Sequence, residues 1–299
     1  MHVQTVSRCA PTLLVACACT VTLAEGSLSA STIWTEDFGT GTGTLTGGES
    51  TSFLPAPAAG GGTARVRVGS GGGEFALVNP GVGSSSLVAT ASSSTSVNKF
   101  SIYDFAGTGL FTLEADLSFS GADSGSWYLL VGNGARFSDN TTFATNEVFA
   151  GLRWDFGSGG ALTTSRLSSS GSWLTTNVPS IAQDTNYRLK IYANNTTAAV
   201  EHAGLSVAPG TWDVFVDGVL VSSDLAKAGL ADDVAIDSFM FNGAGSAGNA
   251  ATLTVNSVSY ANVLAPEPEG WMLAAIAAAS LGAVGYRRRW LFPGIRQAA

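Results

Sequence analysis

The stretch FTLEADLSF, residues 111–119, alternates strictly. Phe111, Leu113, Ala115, Leu117 and Phe119 fall on one face, and Thr112, Glu114, Asp116 and Ser118 on the other. A period of two over nine residues is the signature of a strand with one buried and one wet face. Runs of the same kind recur at 64–68, 75–78, 127–131, 148–156, 187–193, 236–241 and 253–263, separated by clusters of Gly, Ser, Asn and Asp that punctuate turns. In WDVFVDGVLV, 212–221, two β-branched runs flank Asp217-Gly218. Both central residues of a type I′ turn need φ > 0, which Asp-Gly supplies at low cost, so a hairpin is predicted with its tip at that pair. No amphipathic helical stretch of useful length interrupts the pattern; 226–233 has room for one helical turn at most. About a dozen strands at this spacing predict an all-β, two-sheet antiparallel sandwich.

The chain of 299 residues begins with a basic start (Met1 to Arg8), an uncharged run (Cys9 to Ala24) and a small-residue exit to Ala30. This order predicts a signal peptide over 1–30, cleaved near Gly26 or Ala30. An uncleaved N-terminal anchor is the plain alternative. Leu14-Val15-Ala16-Cys17 also resembles a lipobox that would make Cys17 a lipidated N-terminus, although the apolar run before it is short and holds Pro11. All three cysteines (Cys9, Cys17, Cys19) lie in the leader, so the exported chain has no disulfide, thiol nucleophile or cysteine metal site. The remaining body, 31–263, suits one all-β domain.

Between residues 31 and 264 nine Lys or Arg face nineteen Asp or Glu, a net charge of −10. No basic stripe is present to drive the counterion release on which nucleic-acid affinity depends, so nucleic acid is excluded as a partner. The glycine-rich stretches 39–48 (GTGTGTLTGG), 56–62 and 69–73 read as flexible loops. Gly39-x-Gly41-x-Gly43 lacks the helix that a phosphate cradle needs.

Candidate chemistry is sparse. Glu114 and Asp116, spaced i, i+2, share the wet face of one strand, about 7 Å apart at the backbone. A retaining glycosidase needs two carboxyl groups roughly 5–5.5 Å apart across the sugar bond. His202 is the one histidine after the leader, in a loop position that predicts a solvated ring, and no Gly-x-Ser-x-Gly elbow accompanies it. Without a histidine pair there is no two-imidazole zinc site. Asp139 with Asn140, and Asp232 with Asp233, offer oxygens for calcium, but neither pair matches a dedicated calcium loop. No metal or other cofactor is expected. Trp173, in SSSGSWLTTN, is the candidate for glycan contact through an exposed ring, with ordinary core packing as its alternative. Trp34, Trp154 and Trp212 sit in alternating apolar runs and are expected in the core.

Taken together, FTLEADLSF (111–119), VFAGLRWDF (148–156), the 212–221 hairpin and the closing pair AIDSFMF (235–241) and LTVNSVSYANV (253–263) resemble the concanavalin A-like, laminin-G-type jelly roll. That resemblance implies lectins, polysaccharide hydrolases and lyases, or passive adhesive modules, because the fold does not select among them. The β-glucan hydrolases of this fold carry Glu-x-Asp-x-x-Glu. Here the stretch runs from Glu114 and Asp116 to Phe119, so the last carboxyl group is missing and no catalytic residue is assigned.

The C-terminal segment, 264–299, differs from everything before it. Pro266-Glu267-Pro268 precedes an apolar run, 271–286, of sixteen residues without a charge, and then Arg287-Arg288-Arg289. As a transmembrane helix the run would measure about 24 Å, somewhat short of the ~30 Å hydrocarbon core. The arginines would hold the C-terminus in the cytoplasm and the body outside. These three parts in this order resemble the PEP-CTERM sorting signal. The resemblance implies recognition by an exosortase-type processing enzyme, membrane insertion before the tail is removed, and association with exopolysaccharide and biofilm matrix. The departure is Trp290–Ala299, ten residues beyond the arginines; a plain C-terminal anchor is the alternative. The expected function is a non-enzymatic structural or adhesive protein of the envelope or matrix with weak glycan contact. The rival is a carbohydrate-active hydrolase or lyase of the same fold.

Overall fold

The alternation of residues 111–119 is realised in a computed structural model that describes residues 33–54, 61–93, 97–121, 123–139, 141–202, 204–244 and 251–264. The leader, 1–30, and the signal at 266–289 lie outside the described residues. Nineteen strands are described: β1 (Ile33–Glu36), β2 (Gly43–Leu45), β3 (Gly48–Ser50), β4 (Thr63–Val68), β5 (Glu74–Val78), β6 (Ser86–Thr90), β7 (Val97–Tyr103), β8 (Leu110–Ser120), β9 (Ser126–Gly132), β10 (Val148–Phe156), β11 (Leu162–Leu167), β12 (Trp173–Leu174), β13 (Asn186–Asn194), β14 (Val200–His202), β15 (Leu205–Val207), β16 (Thr211–Val216), β17 (Val219–Ala226), β18 (Ser238–Ala244) and β19 (Thr252–Ala261).

They form two large antiparallel sheets. One has nine strands in the order β17-β16-β13-β8-β19-β6-β5-β2, with β1 added beside β19. The other has eight, β12-β11-β10-β9-β18-β7-β4-β3; β14 and β15 make a separate small hairpin. The inward faces close on one core. Phe111, Leu113, Ala115, Leu117 and Phe119 of β8 are buried against Trp127, Leu129, Leu152, Trp154 and Phe239 of the opposite sheet. Phe119 lies 4.7 Å from Trp154 between ring centroids, and Phe75 meets Trp127 edge-on at 6.4 Å. Trp34, Trp154 and Trp212 are in this core, as expected. At ~25 cal/mol per Å² of apolar surface removed from water, each such aromatic contributes on the order of 3 kcal/mol.

The 216–219 turn is as the sequence predicts. Asp217 (φ 52°) and Gly218 (φ 77°) form the tip, and Val216 pairs with Val219. The Asp217 carboxylate also accepts the Arg188 N–H at 2.9 Å, tying the tip to β13.

Four expectations change. The strands outnumber the expected dozen because several are two to four residues long, too short to show a period. Segment 226–233 forms no helical turn: the N–H groups of Ala228 and Leu230 bond to the carbonyls of Phe149 and Val148 instead of to their own segment. The outer face of β8 is not wet throughout. Thr112 is buried, donating to the Val263 carbonyl at 2.7 Å. Finally, the glycine-rich runs are built into the fold: 39–48 contains β2 and the first residue of β3, and the 69–73 turn is hydrogen-bonded to a buried asparagine, Asn98.

The connection from β9 to β10 crosses the outer face of the eight-stranded sheet. It makes 3-10 turns at Ala135–Phe137 and Thr145–Glu147 and buries Phe137 with Leu130, Val148, Leu167 and Met240 in a second, smaller apolar cluster.

Candidate functional site on the outer face of the eight-stranded sheet

Trp173 opens β12, a two-residue edge strand paired to the end of β11 through Leu167. A serine-rich turn brings it there; Ser168 Oγ accepts the Ser172 N–H at 3.1 Å. The ring is half-buried, neither free in solvent nor part of the main core. It lies 5.3 Å from Tyr128 (interplanar 59°) and 6.0 Å from Phe143 (83°). The Arg153 guanidinium stands over the Trp173 ring, 5.2 Å from its centroid. Such a cation–π contact at a partly exposed place stabilises by ~0.5–1 kcal/mol.

Register explains the rest of the group. β9 and β10 run antiparallel, so Tyr128 lies opposite Arg153 and Ser126 opposite Asp155, all on the outer face. Arg153 Nε donates to Asp155 Oδ2 at 2.7 Å, and Ser126 Oγ donates to Asp155 Oδ1 at 2.5 Å. Arg153 and Asp155 remain 27% and 31% exposed, so the pair is reachable from solvent. Burial pushes the Tyr128 hydroxyl above its ordinary range, with Arg153 opposing and Asp155 adding to the rise. The site presents ring faces and edges, a guanidinium donor, a carboxylate acceptor and hydroxyls. Those groups are of the kind that stack on and hydrogen-bond a polyhydroxylated ligand.

Tyr128, Phe143 and Arg153 were not singled out from the sequence. They come from three separate stretches, and only the fold brings them to Trp173. The available signal was an outward-pointing Tyr and Arg at alternate positions of otherwise apolar strands.

Glu114 and Asp116 lie on the other sheet, in a shallow pocket of about 280 Å³ shared with Arg188, Ser257 and Ser259. Glu114 faces Lys190 and Asp116 faces Arg188 across the strand pair. One Glu114 oxygen accepts from Arg188 Nε and the other lies 3.2 Å from Lys190 Nζ. Asp116 accepts from the amides of Asn186 and Asn256. Phe119, standing where the hydrolase motif has its last carboxyl group, is in the core. His202 is not a solvated loop residue: it ends β14 and its ring packs on Tyr192 at 4.8 Å.

The calcium candidates are drawn into other bonds. Asp139 Oδ1 accepts from Thr141 N–H and Oγ1, and its Oδ2 is 3.2 Å from Arg136. Asp232 accepts from Lys227 Nζ at 2.5 Å. Asp233 is a turn residue with φ 59°, and Asn140 lies outside the described residues. The Asp139 loop does hold a cation, one that the chain supplies. Lys99, 2% exposed, sends its ammonium to the carbonyls of Arg136 (2.6 Å), Thr141 (2.9 Å) and Asp139 (3.3 Å). Burial pulls this ammonium down to about 8, opposed by Asp139 and assisted by Arg65, Arg67 and Arg136. Among the described residues no three His, Cys, Asp or Glu side chains converge as a metal site.

No family model matches the chain, and no curated protein matches it. Solved structures similar to it include a sialidase, at 12% identity over 65% of this chain and 16% of that one, with a TM-score of 0.41. The potassium-bound Emp46p carbohydrate recognition domain shares 9% identity over 60% of this chain and 84% of its own, at 0.37. The cellulose-induced protein Cip1 shares 12% over 77% and 97%, at 0.40. Likenesses this distant carry no argument about function, which rests on this chain's own residues.

Proposed function

We propose that this protein is an exported, non-enzymatic component of the cell envelope or extracellular matrix. Its body is a concanavalin A-like sandwich that holds glycan weakly through the ring group at Trp173. The observation that carries the glycan reading is the half-exposed cluster of Trp173, Tyr128 and Phe143 beside the Arg153–Asp155 pair. The non-enzymatic reading is supported by the engagement of Glu114 in ion pairs with Arg188 and Lys190 and of Asp116 in a hydrogen bond from the Asn186 side-chain amide. In affinity electrophoresis through polysaccharide-containing gels, Trp173→Ala is expected to weaken retention about tenfold, or ~1.4 kcal/mol, with the fold intact. Unchanged retention would refute the site.

The route to that location is the signal at 266–289. An exosortase would read Pro266-Glu267-Pro268 while the 271–286 helix sits in the membrane, stopped by Arg287, Arg288 and Arg289. Each arginine costs about 2.5–3.5 kcal/mol at the bilayer centre, enough to halt a weakly hydrophobic span. Neutralising all three is expected to abolish sorting and leave the body folded, as read by fractionation and intact mass in an exosortase-bearing host. A wild-type protein that keeps Ala299 at steady state would replace sorting by plain anchoring.

A further inference from the structure

The rings at Trp173 stand where the outer face of the eight-stranded sheet changes from roofed to open. On one side of them Gly151 lies opposite Leu130, and a Cβ on Gly151 would stand 3.0 Å from side-chain atoms of Leu130 and Leu167. Both leucines are buried with Phe137, Val148 and Met240. Two residues further along the strands comes the row Tyr128, Arg153 and Ser165, one residue from each of β9, β10 and β11, with Trp173 against Tyr128. Two residues beyond that comes the row Ser126, Asp155 and Thr163. Thr163 is exposed, and Ser126 and Asp155 are partly so. Past this row the turn at 158–161 is exposed, and a Cβ on Gly159 or Gly160 would have nothing within 4 Å. A strand rises ~3.4 Å per residue, so the two rows are about 7 Å apart. A sugar chain that stacks on Trp173 and runs along the strands continues over Ser126, Asp155 and Thr163.

The cation on this shelf is already neutralised. Arg153 Nε donates to Asp155 Oδ2 at 2.7 Å, and Nη2 stands 2.5 Å from the same oxygen. The flat of the guanidinium covers the Trp173 ring at 5.2 Å. Asp155 Oδ1 takes the Ser126 hydroxyl at 2.5 Å. A carboxylate oxygen has two lone pairs, so Oδ1 keeps an acceptor place directed away from the arginine. The open row therefore offers a carboxylate acceptor and hydroxyls, on a body whose charge between 31 and 264 totals −10.

We propose that the Trp173 site selects uncharged glycan against acidic glycan, and that Asp155 and Thr163 set this selectivity. One sugar unit stacks at the rings. Hydroxyls of the next unit donate to Asp155 Oδ1 and bond the Thr163 hydroxyl, which stands opposite Asp155 on β11. A uronate or sulfated unit in the same place sets its anion against Asp155, and the Arg153 cation that would offset it is held by that same carboxylate. The like charges meet at a partly buried place, where water and salt screen them less than at a fully exposed one. This inference rests on the glycan reading of the Trp173 group and adds its ligand class.

The test is binding of the purified full chain to two pairs of immobilised polymers, dextran with carboxymethyldextran and hydroxyethylcellulose with carboxymethylcellulose. Each pair shares a backbone and differs in charge. At least one neutral polymer is expected to bind about tenfold or more tighter than its carboxymethyl partner, with little change as sodium chloride rises. Thr163→Val, at an exposed position, should melt with the wild type and weaken neutral binding about fivefold, as the loss of one hydrogen bond implies. Asp155→Asn leaves Arg153 uncompensated. It should weaken neutral binding and raise carboxymethyl binding about tenfold, and that new binding should fall as sodium chloride rises. The proposal is overturned if the carboxymethyl polymers bind the wild type as well as the neutral ones do, or if Thr163→Val and Asp155→Asn both keep the wild-type preference. In either case, a loss of binding in Trp173→Ala leaves the glycan reading standing. If the wild type binds neither neutral polymer, or Trp173→Ala binds as well as the wild type, the glycan reading fails and this inference fails with it.

Discussion

Lys99→Met is expected to unlatch the loop from Asn133 to Glu147 and to weaken glycan retention with it. The Lys99 ammonium supplies three donors to three carbonyls, and methionine supplies none. A buried acceptor left without a donor costs ~1–3 kcal/mol, so closing the loop without the ammonium becomes less favourable by about 3 kcal/mol after partial relief by water. The same loop carries Phe143 against Trp173 and Tyr128. Amides closed within it, Phe137 N–H to Gly134 and Asn133 N–H to Glu147, should exchange with solvent about 100-fold faster, which is what ~3 kcal/mol implies. The main core does not depend on this latch, so the strands of the nine-stranded sheet should keep wild-type protection. Unchanged exchange over 133–147 would mean that Phe137 and its apolar partners hold the loop unaided.

Stability should fall between pH 4.5 and about 7, and Glu36→Gln should remove much of that fall. Glu36 ends β1, is 2% exposed and accepts the Phe38 N–H at 2.9 Å. Burial raises its carboxyl to about 7, the Phe38 bond opposing and Asp37 adding to the rise. The sign follows from proton counting. Above about 4.5 the unfolded chain has lost the proton that the folded chain still holds. The stabilisation from this group is complete below that point and is lost as pH rises to about 7. A displacement from 4.5 to about 7 corresponds to about 3 kcal/mol. Glutamine keeps an acceptor for Phe38 and never charges, so the variant should be more stable by about 2–3 kcal/mol at pH 8. Asp213 and Asp237, also raised by burial, leave a residual slope. Urea midpoints measured from pH 4 to 8 decide the matter; a variant with the wild-type slope would place the titrating group elsewhere.

The long strands were legible because their packing is periodic. Residues 111–119 alternate because β8 lies mid-sheet with one face on the core, and 148–156 matches β10 residue for residue. The hairpin at Asp217-Gly218 was legible because its chemistry is local. The short strands were not, since two or three residues such as Trp173–Leu174 or Gly43–Leu45 carry no period; they are strands because a neighbour's edge offers hydrogen bonds. The site was legible only in Trp173. Tyr128, Phe143 and Arg153 are far apart in sequence, and their meeting depends on the β9–β10 register and on a loop latched by Lys99. In the same way, glycines that look like slack linkers form a fixed turn only because Asn98, 26 to 29 residues on, reaches their backbone.

The central claim is that this protein holds glycan at Trp173 without turning it over. Wild type, Trp173→Ala and Glu114→Gln, run together on the same polysaccharide, test it most directly through gel retention and the appearance of new reducing ends or unsaturated products. The expected result is retention by wild type and Glu114→Gln, about tenfold weaker retention by Trp173→Ala, and no product from any of them. Product released by wild type and lost in Glu114→Gln, with Trp173→Ala unaffected, would contradict the claim and move the function to the opposite sheet.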